Sequence, residues 1–343
     1  MMAGTEARAY THDEMMQRVH QIMVRYPRFM RLLEMMNECL QESKHAAEPQ
    51  CMSIEGDTGA GKSTLAETME KAHCRVEEED RTHIPVLYLL TPSPATIGAM
   101  LDALLEALGD PGAGRGTLAA KEKRVKILFK QCRVELVIFD DFQHLVDTET
   151  DYVLHRVSEW LKALIKRTKT PFIVMGMPGQ VTKVIEANPQ LSRLFAAREE
   201  LTGFAWNENE PDTVKDFARF VAFVEKMAEV RLCHAMERLE VLRRIHYATD
   251  GTVGNVMNLI RRAILLADAN SVKDVGLEHF DLAFSRRLEK HMKSKLNPFT
   301  LPGGSLFVPP ETPVASKDPA EAVGKRGKKR TIKQPGVGEV LST

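Results

Sequence analysis

The spacing of apolar positions divides the chain into three stretches of different rhythm and a tail with none. Between about Thr11 and Ser43 apolar side chains recur at helical intervals: Met15, Val19, Ile22 and Met23, then, after Pro27, Phe29, Leu32, Leu33, Met36 and Leu40. Thr11-His12-Asp13-Glu14 supplies a capped start. The density of methionine here predicts core packing against the part of the chain that follows. From Cys51 the rhythm changes. Short apolar runs at Cys51–Glu55, Pro85–Leu90, Glu135–Phe139 and Phe172–Gly176, and a brief one near Glu200–Leu201, read as strands. Helices are predicted between them at about Ser63–His73, Ala95–Leu108, Leu118–Gln131 and Tyr152–Arg167. Apolar strands separated by helices predict an α/β fold, a parallel sheet covered on both faces.

After Trp206 the strand signals stop. Asp212–Val230, Cys233–Thr249, Val253–Asn270 and Leu277–Lys293 read as four helices, with turn signals at Asp250-Gly251 and Asn270-Ser271. Beyond Asn297 the composition shifts to Pro, Gly and Ser and carries the basic cluster Lys325-Arg326-Gly327-Lys328-Lys329-Arg330, which predicts a disordered tail with a flexible approach to DNA or an acidic partner. The expected organisation is a helical segment over 1–45, an α/β domain over 46–206, a helical lid over 207–296 and a tail over 297–343.

Composition narrows the function. The 343 residues carry 47 Lys+Arg against 47 Asp+Glu, a formal net charge of zero, which argues against an evenly basic surface and leaves room for a local basic groove. The five cysteines, Cys39, Cys51, Cys74, Cys132 and Cys233, are scattered without a C-x-x-C pair, which fits a reducing compartment better than a disulfide framework or a zinc site. The first residues lack the apolar core of a signal peptide, and no apolar run is long enough for a bilayer. A cytoplasmic protein is expected.

The chemistry is concentrated in Gly56-Asp57-Thr58-Gly59-Ala60-Gly61-Lys62-Ser63-Thr64. This stretch fits G-x-x-x-x-G-K-[ST], with a predicted strand before it and a helix after it. Glycines at these positions let successive backbone N–H groups converge on phosphate oxygens. Lys62 is placed to reach β- and γ-phosphates, Ser63 to put its hydroxyl on Mg²⁺, and the helix start adds its positive end. The second motif is the strand Leu136-Val137-Ile138-Phe139 ending in Asp140-Asp141. Asp140 is the candidate acid on the metal and Asp141 the candidate acid on the attacking water. ATP and Mg²⁺ are the expected ligands.

A phosphate loop, an intervening strand, an acidic strand end and a helical second domain together resemble an AAA+ ATPase. More narrowly, the loop followed by Val134-Glu135-Leu136-Val137-Ile138-Phe139-Asp140-Asp141-Phe142-Gln143-His144-Leu145 resembles the TniB/TnsC family of transposition ATPases. Tyr26-Pro27-Arg28 and Asp250-Gly251-Thr252-Val253-Gly254 point the same way. The resemblance runs from about Thr11 to Lys293. It implies ATP-dependent assembly of a homo-oligomer, a ring or a filament, on double-stranded DNA, recruiting a transposase and a TniQ-type target selector.

Carried over residue by residue, the resemblance also exposes departures. Where AAA+ proteins place a polar sensor after the next strand this chain has Met177, so the sensor is displaced, Gln180 being one candidate, or hydrolysis is slow. Asp141 stands where a longer Glu is common. Arg193 first and Arg198 second are the candidates for an arginine finger inserted into a neighbouring subunit, against surface pairing with Glu199 or Glu200. Asn255 lies near the second sensor position, as a nucleotide contact or a helix cap. Tyr26 and Pro27 are placed on the adenine or in the core. Between Gly109 and Lys126 a glycine-rich loop with Arg115, Lys121, Lys123, Arg124 and Lys126 suits approach to DNA phosphates, with a solvated charged helix as the other reading. With no base-reading motif, little sequence preference is expected. An AAA+ replication initiator or helicase loader is the alternative in the same fold. A P-loop small-molecule kinase fits less well, because the helical domain and the candidate trans arginine suit an oligomer. A STAND-type signalling ATPase lacks its repeat array.

Overall fold

The computed structural model describes residues 11–300 except 80, 94–95, 147–150, 270–273, 291 and 293–294. Two helices lead in, α1 (His12–Gln21) and α2 (Pro27–Ser43). Thr11 opens α1 with a capping box: its hydroxyl accepts the Glu14 N–H while the Glu14 carboxylate accepts the Thr11 N–H at 2.9 Å. Pro27 opens α2 at a position where its missing N–H costs nothing.

The α/β part follows in the order β1 (Met52–Glu55), α3 (Lys62–Ala72), a small hairpin of β2 (Val76–Glu77) and β3 (Thr82–His83), β4 (Val86–Leu90), α4 (Ile97–Ala107), α5 (Leu118–Gln131), β5 (Leu136–Asp140), α6 (Asp151–Thr168), β6 (Phe172–Gly176), α7 (Gln180–Glu186), α8 (Pro189–Leu194) and β7 (Ala197–Glu200). A 3-10 turn, Phe142–Val146, separates β5 from α6. The five long strands form one parallel sheet in the order β4-β5-β6-β1-β7, Met52 standing beside Ile173 on one side and Ala197 on the other.

Alternation within each strand sorts side chains between two cores. Leu136 and Ile138 of β5 and Ile173 and Met175 of β6 join α2 and α3 on one face. Val137, Phe139, Phe172 and Val174 join α4 to α8 on the other. Both faces being covered explains why the strands read as unbroken apolar runs.

The helical part comprises α9 (Pro211–Ala228), β8 (Arg231–Leu232), α10 (Arg238–Thr249), α11 (Val253–Ala269), β9 (Asp274–Val275) and α12 (Leu277–Arg287). Its core is continuous with that of α2 and α3. Among the described residues no helix is long and apolar enough to cross a membrane.

Four expectations are corrected. Strands do not end at Trp206: β8 and β9 pair in parallel, Arg231 beside Asp274. The helix expected from Cys233 starts at Arg238, because Cys233 takes a positive φ of 47° and gives its N–H to Val275 O at 2.8 Å. The last strand lies earlier than Glu200–Leu201, at Ala197–Glu200, where Met52 to Glu55 pair with it. Ordered chain continues past Asn297, for Phe299 is buried and stacks on Phe280 at 5.2 Å. The buried Arg244, bonded to Glu240, also donates to Pro298 O at 3.1 Å. The remainder of the expected tail, with Lys325–Arg330, lies outside the described residues.

Candidate nucleotide site

The loop from Gly56 to Gly61 leaves β1 and feeds directly into α3, with Gly59 and Gly61 at φ of 81° and 107°, a region open to glycine. Lys62, almost fully buried, donates from Nζ to Gly56 O at 2.6 Å and Asp57 O at 3.1 Å. Burial holds its ammonium below the ordinary lysine value, against the pull of Asp140, Asp141 and Asp57. A positive charge kept this dry by three nearby carboxylates and carbonyls is suited to an anion arriving above it.

One strand away across β6, β5 ends in the fully buried Asp140. Its Oδ2 accepts the Ser63 hydroxyl at 2.5 Å and the Tyr88 hydroxyl at 3.3 Å; its Oδ1 accepts the Asp141 N–H at 2.9 Å. Tyr88 is held above the ordinary phenol value by burial and by the Asp140 charge. Thr91 ties β4 to the same point through Asp140 O at 2.7 Å. Ser63 and Asp140 are hard oxygen donors side by side, and the described residues hold no cluster of three His, Cys, Asp or Glu. A cation with so few protein ligands must complete its shell with phosphate and water, which is the habit of Mg²⁺. The residues therefore fit that ion. Asp141, at a positive φ of 52°, faces the cavity beside them.

The cavity has a volume of about 380 Å³. Its phosphate end is Thr58 to Thr64 with Asp141 and Met177; its other end is Ile22, Met23, Val24, Tyr26 and Phe29 with Phe220, Val253, Gly254, Met257, Asn258 and Arg261 of the helical part. Tyr26 thus lines the cavity while packing on Phe204 at 5.1 Å and Phe220 at 5.8 Å, so it does both things the sequence left open. Burial pushes its hydroxyl up to about 12.

The lid closes on the loop through backbone. Gly254 N–H donates to Gly59 O at 2.8 Å, and a Cβ at Gly254 would meet that oxygen at 2.9 Å. Arg261 closes the far end in a way the sequence did not disclose. Its Nε donates to Val19 O at 3.1 Å and its Nη2 to His20 O at 3.4 Å and Ile22 O at 2.8 Å. Burial holds this guanidinium below the ordinary arginine value. α1 is further fastened to the lid by His12 on Asp268 at 2.6 Å and by Arg18 on Met227 O at 2.9 Å. The chain between α1 and α2 therefore lines the cavity while held from the lid side.

Other sequence candidates lie elsewhere. Asn255 is not on the cavity wall; its amide donates to Thr249 O at 3.4 Å, and one turn on, Asn258 takes the wall position. Arg193 pairs with Glu48 at 2.7 Å and Arg198 with Glu186 at 2.8 Å, rather than with Glu199 or Glu200, and neither lines the cavity. Lys121 is buried against Asp102 at 2.6 Å. Arg124 holds the preceding loop through Gly112 O at 2.9 Å, Arg115 O at 2.6 Å and Asp110 at 3.0 Å. Both are spent on structure, which leaves Arg115 and Lys123, with Lys126, exposed. Gln180 is absent from the cavity wall, and Gln143, which the sequence did not single out, reaches Asp141 instead.

A family model described as "Bacterial TniB protein" matches residues 16–204, more than half of the chain. The chain belongs to the TniB family. The match covers α2, the phosphate loop, the Asp140-Asp141 strand end and the whole sheet of this TniB family member, and stops where its lid begins. No curated protein matches the sequence. Among solved structures it is similar to Cdc6p from Pyrobaculum aerophilum, with a TM-score of 0.57 and 13% identity over 78% of this chain and 69% of that one. It is similar to Aeropyrum pernix ORC1 in complex with DNA (TM-score 0.54, 14% identity, 82% and 72% covered). It is also similar to Aeropyrum pernix ORC2 in its ADPNP-ADP complexes (TM-score 0.53, 15% identity, 82% and 74% covered). The fold of the TniB family member is that of AAA+ P-loop NTPases, a parallel sheet flanked by helices and followed by a helical lid.

Proposed function

We propose that this protein is an ATP-binding and ATP-hydrolysing regulator of transposition that assembles on double-stranded DNA and links a TniQ-type target selector to a transposase. The observation that carries the nucleotide part is the convergence of Lys62, the Ser63–Asp140 pair and Asp141 on one cavity beneath the lid. Lys62 and the loop N–H groups bind the phosphates, Ser63 and Asp140 hold Mg²⁺, and Asp141 accepts a proton from the attacking water. The ion, when bound, neutralises phosphate charge. The family carries the transposition part. Arg193 and Arg198, both outside the cavity of their own chain, serve the site of a neighbouring copy once Glu48 and Glu186 release them. Turnover is slow, because Met177 offers no polar side chain and Asp141 is short, so hydrolysis acts as a timer for release from DNA. Arg115 and Lys123 meet DNA phosphates without reading bases.

The second reading is an AAA+ replication initiator or helicase loader. The solved structures favour it over the first reading, since those similar to this chain are of Cdc6 and ORC proteins, one of them in complex with DNA. At this identity they speak for the fold, and the family match speaks for transposition. One experiment separates the two: imaging the full chain with arbitrary double-stranded DNA, with and without a slowly hydrolysed ATP analogue. Regular rings or filaments that need the analogue and not a particular sequence are the expected result. Binding confined to a particular sequence without repeating assembly favours an initiator, and indifference to DNA defeats both.

A further inference from the structure

The orientation of the Asp141 carboxylate is fixed by another side chain. Gln143, in the 3-10 turn after β5, donates from Nε2 to Asp141 Oδ1 at 3.1 Å. Oε1 of the same amide accepts the backbone N–H of Met177 at 3.3 Å. Met177 is the first residue past β6 and shares the cavity wall with Asp141. Gly176 makes the room: a Cβ there would stand 2.8 Å from Gln143 Oε1 and 2.7 Å from Val181 Cγ2. One planar amide, its donor end on the acid and its acceptor end on the next strand, thus couples the two positions where the sequence departs from the usual ATPase pattern.

We propose that Gln143 is a positioning residue that presents Asp141 to the attacking water and ties it to the end of β6 through the Met177 backbone, a link the Met177 side chain cannot make. This rests on the reading of Asp141 as the base in ATP hydrolysis. In that step the water oxygen bonds to the γ-phosphorus, a water proton passes to the Asp141 carboxylate, and the bond from phosphorus to the ADP oxygen breaks with its electron pair staying on ADP. With Oδ1 held by Gln143, Oδ2 is the oxygen offered to water. A positioned base contributes about 10² to 10⁴ in rate, and loss of its orientation forfeits part of that.

The test compares full-length wild type, D141N, Q143M and Q143E for ATP turnover on double-stranded DNA and for affinity toward a slowly hydrolysed analogue. Methionine keeps the length of glutamine and removes both hydrogen bonds. Glutamate keeps an acceptor for the Met177 N–H and has no donor for Asp141. Both Gln143 variants are expected to lose about tenfold in kcat while analogue affinity stays within about twofold. Wild-type turnover in Q143E means that only the Met177 link matters and overturns the proposal. So does a loss of analogue affinity as large as the loss of turnover, which marks Gln143 as shaping the cavity. If wild type fails to hydrolyse ATP or D141N turns over normally, the reading of Asp141 falls and Gln143's role with it. An inactive D141N beside fully active Gln143 variants refutes Gln143 alone.

Discussion

The two ends of the cavity are built on opposite plans. At the phosphate end, residues within one nine-residue loop and one strand end bond to one another: Lys62 to its own loop carbonyls and Ser63 to Asp140. At the other end an apolar wall is assembled from the segment before α2 and from α9 and α11, stretches about 200 residues apart in the chain, counting from Tyr26 to Phe220 and Met257. What fixes that wall is Arg261, which spends its bonds on three backbone carbonyls. The first end holds charge and the second holds shape, and they respond to different mutations.

The strongest way to break the comparison is Lys62→Ala. Removing a charge-assisted partner of the phosphates is expected to weaken ATP binding by roughly a hundredfold or more, and to abolish nucleotide-dependent DNA binding. Fluorescence titration with ATP and ADP checks it, and a loss that ignores the number of phosphates contradicts the role of Lys62. Arg261→Ala strikes the other end. Three carbonyls lose their partner, and affinity is expected to fall about tenfold, equally for ATP and ADP. A variant that binds ATP normally shows that the wall does not need the lid arginine. The smallest effect is expected from Asn255→Ala, within about twofold in ATP affinity, because that amide reaches Thr249 O and not the cavity. A tenfold loss there would place Asn255 on the nucleotide after all.

The same contrast explains what the sequence disclosed. The phosphate end was legible because its geometry is local: a strand, a glycine loop and a helix in register, with an apolar strand ending in two acids. The sheet was legible for a similar reason, since strands buried on both faces leave unbroken apolar runs. The partners of Arg261 and Gln143 were not, because a carbonyl or a backbone N–H has no letter in the sequence. Lys121 and Arg124 misled for a related reason: their charge is visible, and the fold alone brings Asp102 and Asp110 to them. Strands as short as β8 and β9 are below any periodicity, and the positive φ at Cys233 that precedes α10 has no signature in its residue type. Asn297-Pro298-Phe299 reads as the start of a loose tail by composition, yet one aromatic ring seated between Phe280 and Phe284 is enough to hold it.

The bond from Gly254 N–H to Gly59 O has a consequence for time rather than for affinity. The lid touches the loop at a peptide group, with no side chain to swing aside, so the way out for a bound nucleotide opens only when two backbones part. Such opening belongs to the microsecond-to-millisecond class of lid motions. How tightly the nucleotide is held and how long it stays are then governed by different atoms. A partner that pulls on the lid can empty the site without touching a single phosphate-binding residue.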